Sequence, residues 1–261
     1  MNLVRSLFVV GLSFTLLACA SVQEQEREHK NQFRIADTNV RLGLGYLKQG
    51  RTEAALEKLE KAVAAMPDYA EAHSSLALAY ESNREPEKAA EQYRLAVELK
   101  PEDGSIQNNY AVFLCASGKF DEAEKHFLQA INSRNYRTPA RAFENLGVCM
   151  MQKPDLEKAE VYLRKALRMD AKLPGALLGM AKVSVEKGRF MSGRAYLERR
   201  QEVAPLGPDG LWLGINVEKK LGDASAARNY ETQLRKNFPD SNEMRLLLEK
   251  EARERAGAAA K

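Results

Sequence analysis

The stretch "NNYAVFLCASGKFDEAEKHFLQAI", residues 108–131, has the pattern of two short amphipathic helices separated by Gly118. Cys115 and His126 allow two interpretations of it, as part of a catalytic site or as one unit of a repeated scaffold. Recurrence of the same pattern at a fixed interval would indicate the scaffold.

The pattern recurs with a period of 34 residues along most of the chain. A small residue fills the eighth position in five of six blocks and the twentieth position in all six. Glycine fills the fifteenth position in four blocks, and proline fills the thirty-second position in four. Thr138 and Pro139 form an insertion after the third block. The six blocks are residues 36–69, 70–103, 104–137, 140–173, 174–207 and 208–241.

Each of these residue types has a structural role. Small residues at positions eight and twenty allow the two helices of one block to approach closely. Glycine at position fifteen ends the first helix in a left-handed conformation, and proline ends the second helix. Large residues at positions seven, eleven and twenty-four are expected to fill the space between neighbouring blocks. They include Leu42, Tyr46, Leu76, Tyr80, Tyr110 and Phe127.

This skeleton resembles the tetratricopeptide repeat. The resemblance implies an all-α fold, a right-handed superhelix of six helix-turn-helix pairs whose first helices line a concave face. Residues 242–261 are expected to form a capping helix and tail after the last repeat. Ser241 or Asn242 would cap that helix, with Met244, Leu247 and Leu248 facing inward.

The N-terminal residues have the features of an export signal. Residues 1–18 combine a positive charge with a short apolar run, and Leu16-Leu17-Ala18-Cys19 resembles the lipobox of bacterial lipoproteins. That resemblance implies cleavage before Cys19 and attachment of acyl chains to it. Ala20, where Asp would retain the protein in the inner membrane, implies the periplasmic face of the outer membrane. The alternative is an ordinary secretory signal with a chance cysteine. Residues 19–35 are expected to be a polar tether, helical toward its end.

Composition and motifs argue against several classes of function. The 40 basic and 36 acidic residues are interleaved, and the chain has one Trp, so no nucleic-acid surface is expected. No phosphate loop, serine elbow or metal-ligand spacing is present. We therefore expect no enzyme activity, cofactor, metal or small-molecule substrate. His126, on the second helix of its repeat, is expected to face solvent.

Cys115 and Cys149 lie on the first helices of adjacent repeats at similar heights. In an oxidising periplasm they are expected to form a disulfide across the junction that holds the insertion. A disulfide there would contribute about 2–4 kcal/mol. Two buried free thiols are the alternative.

Ligands of this repeat class usually contact the first helix at positions two, five, six, nine, twelve and thirteen. In repeat one these positions predict an apolar slot with a basic rim, unless Leu44 packs inside the scaffold. The amides of Asn109 and Asn145 would hold a peptide or satisfy the scaffold itself. Trp212 would be an anchor or a core residue. The predicted groove residues are Val40, Arg41, Leu44, Leu47, Lys48, Asn109, Asn145 and Trp212.

Four strings carry a more specific resemblance: "NNYAVFLC" (108–115), "ARAFENLGVC" (140–149), "LWLGINVEKKLGD" (211–223) and "LRKNFPDSNE" (234–243). They resemble the type IV pilus biogenesis and stability lipoproteins, which share the paired cysteines and the linker after repeat three. The resemblance implies a pilotin that binds a subunit of the outer-membrane secretin and promotes its localisation and multimerisation. Cys19 would then be the membrane anchor and repeat one the surface for secretin contact.

Repeat six departs from the usual pattern at Gly214, Ile215 and Glu231, which weakens the expectation of a groove at the C-terminal end. Other lipid-anchored repeat proteins regulate a cell-wall synthase or take part in outer-membrane protein assembly. These are the alternative functions.

Overall fold

The computed structural model describes residues 2–259, with side chains described for residues 23–256. Within this part the protein is all-helical, with thirteen α-helices. The predicted signal peptide and the predicted lipidation site Cys19 lie outside the described side chains.

The helices follow the predicted repeat, two helices to each block. The first helices of the six repeats are α1 (Asn2–Lys48), α3 (Ala70–Ser82), α5 (Gly104–Ala116), α7 (Pro139–Gln152), α9 (Pro174–Glu186) and α11 (Pro208–Leu221). The second helices are α2 (Thr52–Ala65), α4 (Pro86–Leu99), α6 (Phe120–Asn132), α8 (Leu156–Met169), α10 (Phe190–Val203) and α12 (Ala224–Asn237). A last helix, α13 (Asn242–Ala259), follows repeat six. The predicted fold class is confirmed.

The chain divides into two compact units, residues 1–110 and 111–261. In the N-terminal unit α1 packs against α2 and α3, and their shared core includes Leu59 and Leu76. In the C-terminal unit the core around α10 to α13 includes Leu197, Ile215 and Leu234.

The small residues of the repeat have the predicted effect on helix packing. A Cβ atom on Gly43 would lie 2.5 Å from Cγ of Leu59, and one on Gly147 would lie 2.6 Å from Cγ of Leu163. Each glycine therefore lets its own helix approach the second helix of the same repeat more closely than any side chain would allow.

The fifteenth position adopts the predicted left-handed conformation. Gly50 has a φ of 71° and Gly222 a φ of 82°. Arg84, which replaces glycine in repeat two, has a φ of 61°. The turn between the two helices therefore requires this conformation even where the residue is not glycine.

Buried carboxylates connect consecutive repeats in the C-terminal unit. Glu160 on α8 accepts hydrogen bonds from Lys187 and Arg189, each at 2.7 Å. Glu218 on α11 accepts from both Nε and Nη2 of Arg194 on α10, the former at 2.9 Å. Each carboxylate thereby joins a helix of one repeat to the repeat beside it.

The predicted tether is helical throughout its described part, because residues 23–35 belong to α1. Gln, Glu, Arg and Lys are good helix formers, and Gln32 donates a hydrogen bond to Glu28 one turn earlier, at 3.2 Å. The ring of Phe33 also meets the ring of Tyr69 edge-on, with centroids 5.3 Å apart. The helix expected toward the end of the tether therefore extends through all of its described part.

Two leucines expected inside are on the surface. Leu42 is 46% exposed, whereas Leu76, at the same position of repeat two, is 4% exposed and packs in a core shared with α2. In the described part no helix pair precedes repeat one, so Leu42 has no neighbour to cover it. Leu248 is 51% exposed, while Met244 and Leu247 are buried. Ser241 Oγ accepts from the backbone N–H of Met244 at 3.1 Å and caps α13.

Candidate functional site

The predicted repeat-one slot is only partly available to a ligand. Val40 is 6% exposed and belongs to the core of the N-terminal unit, so it is not a groove residue. It follows Ala36 by one helical turn and lies on the same buried face of α1. Leu44 and Leu47 are partly buried and pack against that core. Arg41 and Lys48 are exposed. The part of the predicted slot that a ligand could contact is therefore a basic surface formed by Arg41 and Lys48, with the exposed edges of Leu44 and Leu47 beside it.

The two predicted asparagines differ in environment. Asn109 donates through Nδ2 to Ser74 Oγ at 3.5 Å, a contact between the first helices of repeats three and two. Asn145 lines a cavity of about 300 Å³ in the C-terminal unit. The cavity wall also includes Val112, Val148 and Gln152, so it is formed by ligand-contact positions of consecutive repeats.

A disulfide forms part of the same wall. Cys115 and Cys149 are bonded, with their Cα atoms 5.8 Å apart, and both are buried. Cys115 therefore presents no free thiolate for catalysis. His126 is half-buried rather than solvent-facing, and burial lowers the pKa of its imidazole.

Glu144 on α7 lines this cavity, and its carboxylate lies at the start of α9. The backbone N–H groups of Gly175 and Ala176 donate to its carboxylate. Burial nevertheless raises the pKa of Glu144, and the two N–H groups oppose that rise. A Cβ on Gly175 would lie 2.2 Å from Oε1 of Glu144, so the glycine makes room for this contact.

A larger cavity of about 620 Å³ lies between repeats four, five and six and α13. We call it the C-terminal groove, and most of its wall again comes from ligand-contact positions of the first helices. It is lined by Met151, Lys182, Val185, Trp212, Leu213, Asn216 and Leu246, among others. Trp212 is the one predicted groove residue that lines it.

Repeat six lines this groove although it departs from the usual repeat pattern. A Cβ on Gly214 would lie 2.9 Å from the ring of Tyr230. Repeat six therefore keeps the close contact between a small residue of the first helix and a large residue of the second, but each residue lies one position earlier than in the other repeats. Ile215 is fully buried, and Glu231 forms an ion pair with Lys219 at 2.8 Å. Because the small and the large residue are displaced together, α11 and α12 still pack closely against each other. The ligand-contact positions that predicted Trp212 also include Leu213 and Asn216 in repeat six and Lys182 and Val185 in repeat five, so the same rule applied throughout both repeats predicts the groove.

The charges in the C-terminal groove are only partly paired. Lys182 Nζ donates to Asp209 Oδ2 at 2.8 Å. Burial raises the pKa of Asp209, but the Lys182 ammonium and hydrogen bonds from the backbone N–H groups of Gly210 and Asp209 together outweigh burial, so the pKa is lowered. Lys250 lies 5.9 Å from the centroid of the Trp212 ring. Among the described residues, the lining carboxylates of Glu186 and Glu243 have no ion-pair partner.

Within the described range, no group of three or more His, Cys, Asp or Glu is placed to hold a metal ion. No helix in that range combines the length and the apolar character needed to cross a membrane.

Comparison with known proteins identifies the family. Two tetratricopeptide repeat family models match residues 40–104 and 102–172. The type IV pilus assembly protein PilF of Pseudomonas aeruginosa is 31% identical over 242 residues, covering 92% of this chain and 96% of PilF. This chain belongs to the PilF family of type IV pilus tetratricopeptide repeat proteins.

Solved structures of the PilF family agree with this assignment. The structure of Pseudomonas aeruginosa PilF matches with a TM-score of 0.74 at 31% identity, covering 84% of this chain and 99% of that one. PilW, described as a widely conserved type IV pilus biogenesis factor, matches with a TM-score of 0.76 at 30% identity, covering 82% and 98%. An uncharacterised protein of Haemophilus influenzae is 32% identical over 168 residues, which is 64% of this chain and 92% of that protein.

Proposed function

We propose that this protein is a lipid-anchored pilotin, a protein-binding scaffold at the periplasmic face of the outer membrane. Its partner would be a subunit of the type IV pilus secretin, whose localisation and multimerisation it promotes. The observation that carries the proposal is the similarity to PilF, which extends over nearly the whole of both chains. The repeat scaffold and the PilF-like relatives support a binding role and not a catalytic one.

Membrane anchoring and secretin binding would be carried out by different parts of the chain. Acyl chains on Cys19 would fix the protein to the membrane, since each buried methylene contributes about 0.8 kcal/mol. The first helices of the repeats would bind the secretin. Cys19 and repeat one share α1, so about 25 Å of helix would separate the lipid from Ala36.

The proposed secretin contact on repeat one consists of Arg41 and Lys48 with the exposed edges of Leu44 and Leu47. Because Leu44 and Leu47 also pack against the core, changing them to Asp would mix a binding defect with instability. Reversing the two exposed charges avoids this difficulty, since neither side chain belongs to the core.

The pilotin role is tested in cells by comparing the wild type, a deletion and Cys19→Ala. Unheated outer-membrane extracts are run on a denaturing gel and blotted for the heat-sensitive secretin multimer. We expect the multimer to be absent in the deletion, and reduced or mislocalised in Cys19→Ala. An unchanged multimer in all three strains would rule the pilotin role out.

The contact surface is tested in the same assay with Arg41→Glu combined with Lys48→Glu. The matched control is Lys61→Glu combined with Arg94→Glu, which changes the charge equally at exposed sites on the second helices. We expect the first pair to reduce the multimer and the control pair to leave it unchanged. Equal multimer in both would show that repeat one is the wrong surface.

A further inference from the structure

The C-terminal groove has an apolar floor with one aromatic anchor. Met151, Val185, Leu213 and Leu246 contribute aliphatic surface, and Trp212 contributes the indole ring. Its volume of about 620 Å³ falls in the range that accommodates a few side chains of a bound peptide. Burying aliphatic and aromatic surface there would provide most of the binding free energy.

Asn216 gives this floor a polar group suited to a peptide backbone. Its Nδ2 donates to the carbonyl oxygen of Trp212 at 2.9 Å, which fixes the orientation of the amide. Oδ1 then remains able to accept a hydrogen bond from a backbone N–H.

The charged residues of the groove determine which charge a bound partner should carry. The lining ammonium of Lys182 is already paired with Asp209, whereas Glu186 and Glu243 have no ion-pair partner among the described residues. Lys250 beside the Trp212 ring shows that a cation is accommodated next to the anchor. With Lys250 counted, two ammonium groups and three carboxylates (Asp209, Glu186 and Glu243) lie in or beside the groove, so its net charge is negative and complementarity favours a basic partner.

We propose that the C-terminal groove binds an extended segment of a partner protein in which apolar side chains are flanked by Lys or Arg. The apolar side chains pack on Trp212 and Leu213, and the flanking cations pair with Glu186 and Glu243. This site is separate from the repeat-one surface and goes beyond the proposed function, because it does not require the secretin to be the partner.

The single tryptophan of the chain provides a direct readout, since Trp212 lies in the groove itself. The purified protein, without its signal peptide, is titrated with the synthetic peptide GSKLFKSG while tryptophan emission is recorded. The comparison peptides are GSELFESG, with the charges reversed, and GSKAAKSG, without the apolar pair. None contains tryptophan. We expect a saturable change in emission with the first peptide, and binding at least about fivefold weaker with each of the others.

The acidic side chains are tested with Glu186→Gln combined with Glu243→Gln, which preserves shape and removes charge. Two weakly screened ion pairs correspond to about a three- to tenfold loss in affinity for GSKLFKSG at low salt. The matched control is Glu198→Gln combined with Glu202→Gln, two exposed residues of α10 outside the groove, which should bind as the wild type does. Melting curves show whether both variants remain folded.

Three results would overturn the proposal. They are the absence of a saturable change up to millimolar peptide, equal binding of GSELFESG, and equal affinities of the groove variant and its control. None of them bears on the secretin assay in cells, so failure of the groove and failure of the pilotin role are distinguishable.

Discussion

At the scale of single residues, the buried carboxylate of Glu160 is held ionised by three cationic side chains around it. Hydrogen bonds from Arg189 and Lys187, together with the charge of Arg164, lower the pKa of Glu160 to about 2, although burial raises it. Because the folded pKa is below the usual value of 4.5, the carboxylate contributes stability that is complete above pH 4.5 and is lost as the pH falls toward 2.

Glu160→Gln tests this pH dependence. Hydrogen bonds to charged groups contribute about 1.5–3 kcal/mol, so the variant should be less stable by about that amount at pH 7. The difference between wild type and variant should narrow between pH 4.5 and pH 2, as measured by urea denaturation at several pH values. A constant difference across that range would contradict the assignment.

Arg84 shows the cost of a side chain in a left-handed turn. Its φ of 61° is a conformation that glycine adopts freely and other residues adopt at a cost of about 1–2 kcal/mol. Arg84→Gly should therefore raise the free energy of unfolding by about 0.5–1 kcal/mol, after the greater freedom of glycine in the unfolded chain is counted.

Arg84→Ala separates the backbone effect from the loss of the exposed arginine side chain. Alanine retains the Cβ atom and hence the conformational cost, so this variant should show no comparable gain in a thermal melt. If both variants gained equally, the arginine side chain and not the turn would be responsible.

At the scale of elements, helix α13 covers the last repeat with one face only. Adjacent leucines on it differ completely in environment, since Leu247 is fully buried and Leu248 is half exposed. Both leucines were expected to face inward. The sequence shows where the apolar face of a helix lies, but the edge of the buried part of that face depends on the angle at which the helix docks, which the sequence does not give.

The two leucines form a matched pair for measuring the contribution of this cap. Leu247→Ala removes a buried side chain and should cost about 2–5 kcal/mol. Leu248→Ala should change the stability by no more than about 0.5 kcal/mol, as expected for a surface site. Urea denaturation of both variants provides the comparison, and equal losses would mean that α13 docks by a different face.

At the scale of the whole molecule, the sequence period predicted what each repeat does internally. It located the helix pairs, the left-handed glycines and the close approach at Gly43 and Gly147, because these depend on residues inside one repeat. It did not predict the exposure of Leu42, since no helix pair precedes repeat one in the described part of the chain. It also did not predict the burial of Val40, which lies on the same buried face of α1 as Ala36. The period also did not predict the contact between Gly214 and Tyr230. The small residue on α11 and the large residue on α12 are each displaced by one position, and only their contact in the structure shows that the two displacements match.

The attachment of the molecule to the membrane is the last prediction, and it depends on Cys19. Several acyl chains on one residue anchor a protein durably, because the contributions of their buried methylenes add up. Wild-type protein expressed with its own N-terminus should partition into the detergent phase of Triton X-114 and incorporate labelled palmitate. Cys19→Ala should do neither. The matched control is Cys115→Ala combined with Cys149→Ala, which removes both other cysteines and should leave partitioning unchanged. Detergent partitioning of Cys19→Ala at the wild-type level would favour another mode of attachment, and recovery of both proteins in the aqueous phase would favour an ordinary secretory signal.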